Sequence, residues 1–292
     1  MHLILFSAAC SVLVSVILKL APRKRLDVAQ LVTWNYLAAS VLCALLLRPS
    51  LDGLAQPGTP WVALLGLAVV LPSLFLVLGA SVRTTGIVRT DVAQRLSLLL
   101  SLLAAFTLFG ERADEQRLLG LMLGLLAVAG IVVRPEAGRG EETDASGWHG
   151  WALLLTVWVG FALVDVMLKR IALAGTPSAA ALQVAFCIAF VLMLTWQLVR
   201  HVRGTGRLQW RNVGAGLLLG LLNFGNIVFY VRAHQALADS PSVVFATMNI
   251  GVVVLGTLVG VFAFGEKTSR WNRLAIVLAI VAIAIIASAP RA

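Results

Sequence analysis

Apolar residues run through this chain in long blocks, broken by short polar stretches. A bilayer core of roughly 30 Å takes about 20 mostly apolar residues per spanning helix, and such runs recur ten times: 2–20, 28–47, 60–82, 87–109, 115–133, 148–170, 177–199, 210–232, 242–264 and 271–288. The pattern predicts an all-α polytopic membrane protein whose gaps leave no room for a water-soluble catalytic domain. The longest polar stretch, RPEAGRGEETDASG at 134–147, is rich in Gly and Glu and reads as a flexible linker near the midpoint. The first run lacks a basic leader and ends in SVILKLAPRKR, a stop-transfer pattern and not a cleavage site, so it reads as the first membrane helix.

The runs repeat. FTLFGERADEQRLLGLMLGLLAVAGIVV at 106–133 returns as FAFGEKTSRWNRLAIVLAIVAIAIIA at 262–287, and VSVILKL at 14–20 is echoed by VDVMLKR at 164–170, with Lys19 matching Lys169. One pair of matches opens each half and the other closes it. The chain therefore divides into a first unit 1–134, a linker 135–147 and a second unit 148–292. Five helices per unit is an odd number, so the units enter the membrane from opposite sides, the inverted-repeat plan of secondary transporters with a site near the midplane.

Composition agrees with this reading and narrows it. Sixty per cent of the 292 residues are hydrophobic and 12% charged, and the mean hydropathy is +0.95, outside the range of soluble domains. The net charge of +10 would suggest nucleic acid in a soluble protein, but here the basic residues cluster at helix ends and no nucleic-acid partner is expected. Fifteen of the 23 Lys and Arg residues fall in the loops after the first, third, fifth, seventh and ninth runs, seven fall in the alternate loops and C-terminus, and Arg95 lies inside the fourth run. The positive-inside rule then puts both termini outside the cytoplasm. Cys10, Cys43 and Cys187 sit in apolar runs without metal-ligand spacing and read as small buried hydrophobes.

The chain resembles the drug/metabolite transporter superfamily, and within it the EamA-like ten-helix branch. LFGER and AFGEK before the closing helices carry the resemblance, with WNYLAAS at 34–40, VAQRLSLLLSLLAAFTLFGE at 92–111 and GLLLGLLNFGNIVFYVRAHQAL at 216–237. Members move amino acids, nucleotide sugars, sugar phosphates, bases and cationic drugs, so the resemblance implies a carrier without naming its cargo. Nucleotide-sugar relatives keep both termini in the cytosol, against the charge count, which is followed here.

An ionisable side chain within the hydrocarbon is costly and faces the bundle interior, which makes it a functional candidate. Arg95 lies about 12 Å into the fourth helix at 1.5 Å per residue. It reads as a substrate or coupling group, as the partner of Asp91 four positions earlier, or as a side chain snorkelling to the interface. Gln94, Ser97 and Ser101 extend a polar stripe on that helix, and Asn249 on the repeat-equivalent helix aligns with Gln94, the two amides lining a shared midplane pocket or bonding helices together. Asn223, Asn226 and Tyr230 share a face of the eighth helix, the asparagines lining a pocket and Tyr230 joining it or an interfacial aromatic belt. Trp34 and Asn35 begin the second helix, in a pocket or in an interfacial aromatic belt. Asp165 is a candidate coupling carboxylate, as is Asp91, or the i,i+4 partner of Lys169; Lys19 and Lys169 read as snorkelling. Glu111 and Glu266, where the family pattern has them, read as turn-forming residues at the membrane interface. Pro72 should bend the third helix.

No catalytic acid/base pair, phosphate loop, Walker motif or metal spacing appears, so neither an enzyme nor a cofactor is expected. The reading is a secondary transporter, an exporter or exchanger, of a small polar metabolite, anionic or zwitterionic, working by alternating access in a cell membrane, the bacterial inner membrane, as monomer or homodimer. The alternative is a membrane-embedded enzyme or a lipid-handling protein. Helices 5 and 10, nearly free of polar side chains, should lie at the periphery.

Overall fold

The computed structural model describes residues 2–55, 58–108, 115–132, 144–237, 241–266 and 270–288. These form ten α-helices and, among the described residues, no strand: α1 His2–Leu20, α2 Val28–Leu46, α3 Trp61–Thr85, α4 Ile87–Leu108, α5 Glu115–Val132, α6 Asp144–Leu173, α7 Ser178–Val202, α8 Trp210–Ala236, α9 Pro241–Leu258 and α10 Arg270–Ser288. A π-helical turn, Val259–Ala263, extends α9. Among the described residues seven of them, α1 to α4 and α6 to α8, are long and apolar enough to cross a membrane. Ten spans were expected. Within the described residues α5, α9 with its π-turn, and α10 hold the shorter apolar stretches Leu118–Ala127, Thr247–Ala263 and Arg273–Ile286. The expected linker and Glu111 fall largely or wholly outside the described residues, and α6 already begins at Asp144.

Local chemistry accounts for the boundaries. Asp27 caps α2 by accepting the N–H of Ala29 at 2.9 Å. Gly86, at φ +91°, takes the left-handed conformation that separates α3 from α4. Pro72 lies inside α3 without ending it. Lateral faces are apolar and bare, with Val62, Trp210 and Phe262 all more than 80% exposed, as a lipid-facing surface requires. Cys187 belongs to that exposed surface, against the expectation of burial, while Cys43 is buried.

Between helices the tightest seam is α2 against α8, where small residues admit the facing backbone. A Cβ at Gly216 would lie 2.6 Å from the Trp34 Cβ, and one at Gly220 would lie 2.6 Å from the Asn35 carbonyl oxygen. Helices α5 and α10 pack mainly on each other and otherwise touch α4 and α9. Several other pairings share a pattern: exchanging α1–α5 for α6–α10 in order turns α1–α8 into α6–α3, α1–α9 into α6–α4, and α2–α8 into α7–α3, all of which occur. The pairs α2–α7, α4–α9 and α5–α10 map onto themselves and also occur.

Candidate functional site

Two chambers meet inside the bundle. The first, about 250 Å³, is walled by α4 (Gln94, Arg95, Ser97, Leu98), α6 (Phe161, Asp165), α8 (Asn226, Ile227, Tyr230) and α9 (Met248, Asn249). The second, about 280 Å³, shares Gln94, Phe161, Asn226 and Ile227 with the first. It continues among Leu67, Leu71, Phe75 and Leu78 of α3, Leu182 and Phe186 of α7, and Asn223 and Tyr36. The joined space therefore has a polar end holding one cationic and one acidic side chain, and an apolar end.

Arg95 reaches the polar chamber from mid-α4. Its Nη2 donates to Ser11 Oγ at 2.6 Å, and its Nε is buried without a partner. Asp165 is exposed to the same chamber and accepts from Ser101 Oγ at 2.8 Å. Asn226 is fixed by Ser7, whose hydroxyl lies 2.7 Å from the amide oxygen and 2.9 Å from the backbone carbonyl. Tyr230 meets His234 edge to face, with ring centroids 4.6 Å apart. Gln94 and Asn249, aligned by the repeat, border the chamber from α4 and α9.

Three sequence candidates stand elsewhere. Trp34 borders a separate cleft with Gln30, Leu208 and Trp210. Asn35 is fully buried, accepting from Asn223 Nδ2 at 3.2 Å, while its own Nδ2 has no partner. Asp91 is 2% exposed and lies behind the chamber, accepting from Ser15 Oγ at 2.9 Å with Oδ2 unpartnered. Among the described residues Asp91 and Arg95 form no ion pair with each other, so the i,i+4 pairing expected on α4 is replaced by bonds to α1.

The residues that sequence reasoning missed are on α1. Ser7, Ser11, Ser15 and Lys19 follow at steps of four, and each finds a partner on another element: Asn226, Arg95, Asp91 and Glu266. A step of four turns a helix face by about 40°, which is why the partners progress from α8 to α4 to the turn after α9. The spacing in SAACSVLVSVILK was the available signal. Lys19 does not snorkel. It pairs with Glu266, which also accepts the backbone N–H groups of Ile87 at 2.8 Å and Val88 at 3.1 Å, at the start of α4. Among the described residues no three His, Cys, Asp or Glu side chains converge as a metal site.

Residues 1–133 match the model of the EamA-like transporter family. A protein of Haemophilus influenzae, described only as uncharacterized, is 37% identical over 290 residues, spanning 97% of this chain and 96% of its own length. A crystal structure superposes with a TM-score of 0.58 over 97% of this chain and 94% of its own, at 19% identity, a likeness of fold alone.

Proposed function

Because the chain belongs to the EamA-like transporter family of the drug/metabolite transporter superfamily, we propose that this multi-pass membrane protein is a secondary transporter. It moves a small polar metabolite by alternating access around the paired chambers. The observation that carries the reading is the pair of charged side chains, Arg95 and Asp165, facing one chamber in mid-bundle from α4 and α6. Membrane proteins hold such charges at substrate and ion pathways because hydrocarbon penalises them elsewhere. The exchange pattern of helix pairings supports two inverted five-helix units with the chambers between them. Arg95, with an unpartnered Nε beside the chamber, suits a carboxylate or phosphate on the substrate. Asp165 facing the same space favours a second, cationic group, and so a zwitterion over a plain anion.

The test is a thermal-shift screen of purified protein against anionic, zwitterionic and cationic metabolites, since a ligand of the folded state raises its apparent stability. A zwitterion or anion should stabilise the wild type, and Arg95→Ala should lose that shift. Stabilisation confined to lipophilic cations, or retained by Arg95→Ala, overturns the assignment; chemical turnover of a ligand by purified protein would favour the membrane-embedded enzyme instead.

A further inference from the structure

The Phe-Gly-Glu motif at 264–266 has a geometry beyond a turn. Gly265 adopts φ +63°, which lets the chain leave the π-helical turn and aim the Glu266 side chain back into the bundle. The carboxylate meets the first two N–H groups of α4 and the Lys19 ammonium at the end of α1. Phe264 lies under two cations of the same corner, 4.8 Å from Lys19 Nζ and 5.8 Å from the Arg23 guanidinium. Glu266 and Phe264 belong to the second half of the chain, whereas Lys19, Arg23 and α4 belong to the first. The contact therefore crosses between halves, on the face carrying the loops after α1, α3 and α9.

Inward from this corner the closure is continuous. Ile87 and Leu18 are fully buried although they stand at helix ends. Ser15 with Asp91, then Ser11 with Arg95, follow at one-turn intervals down to the chamber. Along this ladder α9 presents glycines: a Cβ on Gly256 would lie 2.4 Å from Asp91 Oδ2, and one on Gly260 would lie 2.6 Å from Val88 and 2.9 Å from Glu266. The polar chamber lies beyond the ladder, toward the opposite face.

We propose that Glu266 is the gate residue of the basic face, its carboxylate clasping Lys19 and the start of α4 to hold the two halves together there, and releasing them when that face opens. The proposal rests on the alternating-access reading for its role in transport, but not for its test. An anion at a helix N-terminus is favoured by the unpaired N–H groups and the helix dipole. A single carboxylate thus gathers a cation and a helix end that no other described side chain joins.

The experiment uses single-cysteine reporters in a chain whose Cys10, Cys43 and Cys187 are replaced by Ser, in oriented membranes, with a membrane-impermeant maleimide. Val14→Cys borders the second chamber beside Ser15, and Leu98→Cys borders the polar chamber. With Glu266→Gln, labelling of Val14→Cys from the basic face should speed up roughly tenfold, the population change that loss of a charge-assisted bond gives. Labelling of Leu98→Cys from the opposite face should slow, because the two openings are alternatives. Lys19→Met, which removes the cation and spares the N–H bonds, should move both in the same directions by less, and decides the matter if Glu266→Gln does not insert. Unchanged labelling in folded variants overturns the gate, and so does faster labelling from both faces, which reports a loosened fold. No substrate is needed, so failure here leaves the Arg95 binding test standing, and failure of that test leaves this one.

Discussion

Replacing Arg95 by Ala separates binding from structure because its present partners are few. The guanidinium gives one bond, to Ser11, and keeps Nε buried and unpaired. Losing a charge-assisted bond costs the fold about 1.5–3 kcal/mol, offset in part because a charge no longer has to be held in hydrocarbon. The variant should therefore insert and melt close to wild type. For substrate the balance differs: truncating one partner of a buried charge pair costs about 2–5 kcal/mol, or roughly 30- to 4,000-fold in Kd. The assay is ligand-dependent thermal shift for affinity, with uptake into proteoliposomes for turnover. Had Arg95 served to neutralise Asp91, the double variant Arg95→Ala/Asp91→Asn would transport normally. Since Asp91 is held by Ser15 instead, the double variant should be as inactive as the single one. Wild-type uptake by the double variant, or unchanged affinity in Arg95→Ala, refutes the reasoning.

Other positions give sharp expectations. Gly256→Ala puts a methyl group 2.4 Å from Asp91 Oδ2, an overpacking worth about 1–3 kcal/mol; in an Asp91→Ala background most of that penalty should vanish, seen as a coupling in a double-mutant cycle of melting data. Asn223→Leu strands the fully buried Asn35 amide and should destabilise by about 1–3 kcal/mol, while Asn35→Leu/Asn223→Leu should recover part of it. A C-terminal tag should be reached by protease from outside intact spheroplasts, because the arginine-rich loops mark the opposite, cytoplasmic face; protection there reverses the orientation of the gate as well.

Hydrophobic periodicity carried the fold's outline because helices in a bilayer satisfy their own backbone, so length and apolarity nearly suffice to locate them. Among the described residues it located seven helices long and apolar enough to cross a membrane. The chamber was legible where a polar side chain had no intrahelical reason to exist: Arg95, Gln94, Asn226, Tyr230, Asn249 and Asp165 all border it. Reasoning failed where it supplied a neighbour on the same helix. Asp91 and Arg95 stand at i,i+4, but spacing on one helix cannot exclude a better partner on another. Asp91, Arg95 and Asp165 each bond to a serine of a facing helix. A lone serine is too common in apolar runs to attract notice, being able to bond its own helix four residues back, as Ser73 does with Val69. What distinguishes Ser7, Ser11 and Ser15 is that they precede Lys19 in strict steps of four, a stripe with no value to a helix bathed in lipid. Polar side chains in such a register on one membrane helix imply an ordered set of partners across it, and the charges to look for are those that recur at matching steps on another helix, as Asp91 and Arg95 do one and two turns into α4.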